Sequence, residues 1–316
     1  MIDELDVKIL RALISESAVA PSNEQVGSSL RAIAGRLGAD DMTVNYRYKR
    51  LQGSGLMSGW RLLVNPIFFG CQLLDVMVDV QPESAKSDMV RKLKLVHEII
   101  GIIKFYGRAL KMIVMYNGDE SRLRTIELIS RITNTEKMTK FRWAVPQCRT
   151  ERLSETDVAI IRALSNDARK SFVKVSGELG LSARTVRNRV NRLRMENTVF
   201  TLPILNMGGV PGFIPFYISY SYSKSEAKNA VDRAMLSHFE TSYLWGGLSD
   251  PESGYVLLST STVSDVQKCL EWGESLPGIT SARVDILTET LMFPEKQSEL
   301  LARKNERGAI QKKAYF

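Results

Sequence analysis

The chain has 316 residues, 44% of them hydrophobic and 25% charged, with 43 Lys+Arg against 35 Asp+Glu for a formal charge of +8. That length suits two or more domains, and the composition excludes a fibrous or disordered chain. The first 25 residues carry Asp3, Glu4, Asp6, Lys8, Arg11 and Glu16, which excludes a secretory leader there. No apolar run approaches the roughly 18 residues of a membrane span, so no membrane partner and a cytoplasmic location are expected. Cys71, Cys148 and Cys269 lie far apart and His97 and His238 are the only histidines, so neither a metal site nor a cofactor is expected. The three thiols read as buried and structural. The basic surplus suits a polyanion.

From the N-terminus, Leu5, Ile9 and Leu13 share a helical face. After a Pro/Ser/Asn/Gly-rich stretch at 20–29, a short helix at 30–37 stops at Gly38, the favoured exit residue. Asp40 then reads as the N-cap of a third helix over 41–52, with Val44, Tyr48 and Leu51 as its apolar stripe. Two helices around such a turn make a helix-turn-helix, and the β-rich run 60–64 follows as a wing hairpin would. Next come a strand at 73–80, a helix at 84–96, strands at 99–106 and 109–116, a helix at 120–132 and a strand at 140–146. The order βαββαβ predicts a ferredoxin-like domain.

The chain then starts again. Leu5–Leu13 returns as residues 156–164 at an offset of 151, whereas Ile33–Gly38 matches 175–180 and Thr43-Val44 matches Thr185-Val186 at 142. The drop places nine additional residues of the first copy within 20–29. Downstream, Asn65 pairs with Asn206 and His97 with His238 at 141. The second copy repeats the short helix (171–179), the exit glycine (Gly180), the cap (Ser182), the stripe (Val186, Val190, Leu193) and the β-run (199–205). Its strands and helices are predicted at 213–222, 224–236, 242–246, 255–260, 263–274 and 281–288. The expected fold class is α+β: two tandem units, each a winged helix-turn-helix followed by a ferredoxin-like βαββαβ domain. The boundaries read as 1–64, 65–150, 151–205 and 206–294, with a basic C-terminal tail at 295–316.

The third helix of the second copy carries Arg184, Arg187, Arg189, Arg192 and Arg194, Asn188 and Asn191, and no acid. Helical spacing puts Arg184, Arg187, Asn188 and Asn191 opposite the apolar stripe. Arg and Asn forks match guanine and adenine edges in the major groove, and Arg also neutralises phosphate. Residues 152–200 hold ten Lys+Arg against five Asp+Glu. A basic helix alone is most often a solvated face; here the cap, turn, stripe and expected wing coincide with it. The expected DNA contacts are Arg184, Thr185, Arg187, Asn188, Asn191 and Arg192. The first copy offers Thr43, Asn45, Tyr46 and Lys49, but Asp40 and Asp41 stand at the helix entrance. Residues 1–64 hold eight basic against seven acidic side chains, so weaker or differently specific binding is expected there.

These residues resemble the Lrp/AsnC family of transcription regulators, above all Leu-Gly-Leu-Ser-Ala-Arg-Thr-Val-Arg-Asn-Arg-Val-Asn-Arg-Leu at 179–193 after Asp157-Val158-Ala159-Ile160-Ile161-Arg162-Ala163-Leu164. The likeness extends to the hinge Asn206…Gly212, echoed by Asn65…Gly70. It implies a sequence-specific regulator of double-stranded DNA, with recognition helices in the major groove and a ferredoxin-like effector and dimerisation domain. Family members pair through their β-sheets, so here the pair is expected inside one chain, presenting two unlike half-site readers. The family also carries Gly-x-x-Asp near its small-molecule pocket; Gly107-Arg108-Ala109-Leu110 puts leucine in place of the acid, and Gly246–Pro251 is a longer loop that does not superimpose. An amino-acid effector is therefore disfavoured. A different small-molecule effector and homo-oligomerisation stay open as partners.

Other readings compete. Some proteins resembling this family are sirohaem decarboxylases, for which His97, Tyr106, Arg108, His238 and Tyr243 are the candidate groups. Each histidine falls at a predicted helix end, where a structural role is favoured. A partner-binding protein without DNA contact is a third reading, faintly supported by the tail, expected to be solvated or clamped to a neighbouring subunit. Gly208-Gly209-Val210-Pro211-Gly212 lacks the Lys-Ser/Thr ending of a phosphate loop and reads as a hinge.

Overall fold

A computed structural model describes residues 2–15, 30–151, 153–248 and 250–313, with side chains as far as 304. The stretch at 20–29, with the expected insertion, lies outside the described residues. The first half runs α1 (Glu4–Ser15), α2 (Leu30–Leu37), α3 (Asp41–Gly53), β1 (Met57–Val64), β2 (Gln72–Asp79), α4 (Lys86–Lys94), β3 (Ile99–Phe105), β4 (Ala109–Tyr116), α5 (Gly118–Thr133) and β5 (Met138–Arg142). The second half runs through the same succession: α6 (Glu155–Leu164), α7 (Phe172–Leu179), α8 (Ala183–Met195), β6 (Val199–Leu205), β7 (Ile214–Tyr222), α9 (Lys228–His238), β8 (Tyr243–Gly247), β9 (Ser253–Thr260), α10 (Val263–Ser275) and β10 (Ile279–Met292), then α11 (Pro294–Lys313).

The expected wing hairpins do not form. Each helix-turn-helix is followed by one strand, and the two strands pair with each other, antiparallel from Met57↔Leu205 to Val64↔Val199. β1 and β6 each run straight into an asparagine turn, so neither has a local partner for its N–H and C=O groups, and each finds them across the chain. Equivalent bonds prolong the ladder at both ends: Asn65 N donates to Thr198 O and Asn206 N to Leu56 O, each at 2.9 Å. Asn65 is fully buried, and its amide nitrogen donates to Pro146 O and Asn197 O.

The other eight strands form one sheet in the order β5-β2-β4-β3-β10-β7-β9-β8. Both four-strand halves follow the ferredoxin-like order, and β10 joins them. Residues Ile279–Ile286 of β10 pair with β7, and Leu287–Met292 continue onto β3. One face of the first half packs Leu74, Val76, Val78, Leu110, Met112 and Val114 against α4 and α5. Phe216, Ile218, Val256 and Leu258 do the same beneath the second-half helices. The opposite faces meet each other: ring centroids lie 5.3 Å apart for Phe105–Tyr217, 5.0 Å for Phe141–Tyr255 and 4.9 Å for Trp143–Trp245. At their centre Asp75 accepts from Lys111 Nζ at 3.1 Å and from the Tyr255 hydroxyl at 2.8 Å, all buried. The Lys111 ammonium also lies 4.3 Å from the Tyr217 ring centroid and 4.4 Å from that of Tyr255. Burial opposes charge on Lys111, but Asp75 and Tyr217 hold its amine above the ordinary lysine value.

Three further expectations are corrected. The last strand of the first half lies at Met138–Arg142 rather than 140–146, because Val78↔Met138 to Leu74↔Arg142 is the stretch that pairs with β2. Trp143 and Val145 turn instead onto the cluster of Cys71, Leu73 and Met115. Where its side chains are described, the tail also packs on its own chain: α11 docks on the first half. Lys296 Nζ donates to Lys94 O, Val96 O and Ile99 O at 2.6–2.8 Å, neutralising free carbonyls at the end of α4, while Gln297 bonds Val64 N and O. Of the cysteines only Cys71 is buried; Cys148 and Cys269 are half-buried, and desolvation raises all three thiols. Gly208 sits where a Cβ would come 1.8 Å from Thr288 O, so the hinge is built around a bare backbone.

Candidate nucleic-acid interface

The second helix-turn-helix assembles from local signals. Ser154 caps α6 in a capping box, its hydroxyl accepting from Asp157 N at 3.1 Å while Asp157 Oδ2 accepts from Ser154 N at 3.2 Å. Ser171 caps α7, and Gly180 ends it at φ 65°, where an L side chain would be strained. Ser182 caps α8 through Thr185 N at 3.0 Å, and its hydroxyl lies 2.8 Å from that of Thr185. Val186, Val190 and Leu193 are buried as the periodicity predicts. Asp40 caps α3 in the same way, through Thr43 N at 3.0 Å.

Arg184, Arg187, Asn188 and Asn191 are exposed on the outward face of α8 and make no hydrogen bond or ion pair among the described residues. Arg192 differs from the expectation. Its guanidinium is 2.7 Å from Asp157 Oδ2, and Arg189 is 3.0 Å from Oδ1, so both brace α8 against α6. The Arg192 side chain keeps 48% of its exposure, but its charge is already matched. Burial would raise the Asp157 carboxyl; the Ser154 hydroxyl, Arg189 and Arg192 together hold it below the ordinary carboxylate value.

The same clamp recurs in the first copy. Asp6 is fully buried between Arg50 and Arg47, the latter at 3.2 Å, and Arg47 also reaches Asp3 at 2.5 Å. The Arg47 hydrogen bond lowers the Asp3 carboxyl to about 2. Asp6 matches Asp157 in the repeat, Arg47 matches Arg189 and Arg50 matches Arg192. The sequence reading missed this clamp, although these arginines are the ones retained in both copies. Thr43, Asn45, Tyr46 and Lys49 are exposed on α3 as expected, but the Asn45 amide nitrogen donates to Asp41 O at 2.9 Å.

The decarboxylase candidates do not converge. His97 precedes β3, while Tyr106 and Arg108 follow it, so seven extended residues, roughly 23 Å at 3.3 Å each, separate the groups. His238 is exposed and stacks on Trp272, with centroids 3.7 Å apart. Tyr243 is partly buried at the start of β8, and burial pushes its hydroxyl up to about 12. Where the family has its acid, Leu110 is buried against the helices. Among the described residues no cluster of His, Cys, Asp and Glu could hold a metal ion, and no helix is long and apolar enough to cross a membrane.

Residues 153–194, α6 to α8, match the AsnC-type helix-turn-helix domain. An uncharacterized HTH-type transcriptional regulator of Pyrococcus horikoshii, PH0140, is 27% identical over 146 residues, covering 46% of this chain and 91% of the relative. The HTH-type transcriptional regulator Ptr1 of Methanocaldococcus jannaschii is 30% identical over 107 residues, 34% of this chain and 66% of the relative. The chain contains an AsnC-type helix-turn-helix domain. Such relatives match about half of this chain or less. Among solved structures, the siroheme decarboxylase NirDL covers 97% of this chain and 99% of its own at a TM-score of 0.56, with 10% identity. That likeness is one of fold, extending through both halves.

Proposed function

We propose that this chain is a DNA-binding transcription regulator of the Lrp/AsnC type whose α8 enters the major groove, with α3 as a second reader in the same chain. The supporting observation is the outward face of α8: Arg184, Arg187, Asn188 and Asn191 stand unpartnered on a helix already fixed by its cap, its apolar stripe and the Asp157 clamp. Unpartnered planar forks on a rigid helix are what base-edge recognition requires. The remaining residues of the notional interface, Thr43, Asn45, Tyr46, Lys49 and Thr185, flank or mirror that face, while Arg192 acts chiefly through the clamp.

In this reading the chain is a tandem duplication that forms its own pair. The helix-turn-helix regions (1–64 and 151–205) are joined through β1–β6, and the ferredoxin-like regions (65–150 and 206–294) through β10. Two readers related by an approximate two-fold would meet successive major grooves about 34 Å apart. Because the readers differ, the half-sites differ. An effector, if one exists, is not an amino acid held by the usual acidic turn, since Leu110 replaces it. The test is Arg187→Ala in a gel shift on a selected duplex. A loss of about 1–3 kcal/mol in specific binding is expected; unchanged affinity overturns the assignment of α8. A selected site that is a perfect palindrome, with both halves equally sensitive to base changes, overturns the two-reader arrangement.

A further inference from the structure

At the repeat offset of 142, the outward positions of the two recognition helices pair as Met42 with Arg184, Asn45 with Arg187, Tyr46 with Asn188 and Lys49 with Asn191. The same offset pairs Asp40 with Ser182 and Asp41 with Ala183 at the helix entrances. Each of these four outward positions has changed its chemistry, whereas Thr43 and Thr185 and the clamp beneath have not.

Guanine is distinguished in the major groove by O6 and N7, a pair of acceptors that fits the two parallel N–H bonds of an unpartnered guanidinium. α8 has two such groups in Arg184 and Arg187, behind an entrance without an acid. α3 has none, because Arg47 and Arg50 are held by Asp3 and Asp6. Its Asn45 amide nitrogen already gives one of its two hydrogens to Asp41 O, so that fork is less free for adenine than an unpartnered one. What α3 offers outward is apolar and aromatic surface: Met42 is 81% exposed and Tyr46 68% exposed. Single exposed apolar side chains are ordinary, but two of them on the outward face of a recognition helix suit the thymine C5-methyl group, the one apolar feature of the major groove. Asp40 and Asp41 oppose phosphate at the helix N-terminus, where an anion would otherwise dock.

Resting on the duplex-binding reading above, we infer that the target duplex is chemically polar: a guanine-bearing half read by α8 through Arg184 and Arg187, and a thymine-bearing A·T half read by α3 through Met42 and Tyr46. The same surfaces give the halves different tasks. The α8 half discriminates by hydrogen bonds, whereas the α3 half discriminates weakly by apolar contact.

The experiment is selection of duplexes from a randomised library by the full chain, repeated with Arg187→Lys and with Met42→Arg/Asn45→Arg. The unmodified chain is expected to enrich guanine in one half and A·T in the other. Arg187→Lys keeps the charge but loses the fork, so guanine preference in its half should fall about tenfold while the A·T half persists. The double substitution on α3, at exposed positions outside the core, should bring guanine into the second half. Halves of like base composition overturn the inference, as does guanine preference that survives Arg187→Lys. Duplex binding without any base enrichment overturns it while leaving the duplex-binding reading intact. Absence of duplex binding even at low salt overturns both.

Discussion

Asp6 holds Arg47 and Arg50 in the first helix-turn-helix as Asp157 holds Arg189 and Arg192 in the second, whereas Met42, Asn45, Tyr46 and Lys49 stand where the second presents Arg184, Arg187, Asn188 and Asn191. The retained positions build the helix pair, and the divergent ones face outward. Formal charge therefore overstates the capacity of α8 to attract phosphate. Of its five arginines, only Arg184 and Arg187 are without a partner among the described residues.

The comparison assumes that both readers are held on one frame, and the strongest test removes the pin between the opposed sheet faces. Lys111→Met leaves Asp75 buried without its cation and should cost about 3–5 kcal/mol in urea unfolding, whereas Lys111→Met with Asp75→Leu should recover most of that loss. Two separate unfolding transitions in the single variant would show the halves to be independent. Next, Asp157→Ala takes the shared carboxylate from Arg189 and Arg192, Asp6→Ala takes it from Arg47 and Arg50, which keep Asp3, and each removes a helix-capping acceptor. Each should destabilise the chain by about 2 kcal/mol; an effect in one copy only would break the equivalence of the clamps.

A smaller effect separates the outward faces. Arg184→Ala with Arg187→Ala should reduce the slope of log affinity against log salt by about 2, and Lys49→Ala by about 1. Equal slope changes would make α3 as strong a phosphate binder as α8. The smallest effect is in acid. Asp157 and Asp3 both have lowered carboxyl values, so their stabilisation is full above the ordinary unfolded aspartate value of about 3.9 and is lost as pH falls through the lower folded values, near 2 for Asp3. The melting temperature should fall across that window less steeply in Asp157→Asn than in the unmodified chain.

Much of the interface was legible because its signals are local. Ser182 and Asp40 cap the helices three residues ahead of the groups they satisfy, and Val186, Val190 and Leu193 recur at helical spacing. The role of Arg192 was not legible in that way, since Asp157 is 35 residues distant, and its exposed neighbours carry the same side chain. Comparing α3 with α8 position by position would have found it: the two arginines common to both helices bind aspartate.

The amino-acid order alone determined the repeated succession of helices and strands and which faces of α3 and α8 turn outward, because period, caps and exit glycines act within a few residues. Only the tertiary structure decided that β1 takes β6 as its partner, that β10 leaves its own half for β3, that α11 folds back onto the first half, and that Lys111 meets Asp75 and Tyr255 between the sheets. Apart from Lys111 with Asp75, which lie 36 residues apart, those choices join groups more than a hundred residues apart in the chain, and no local pattern encodes which distant edge will be free to accept them.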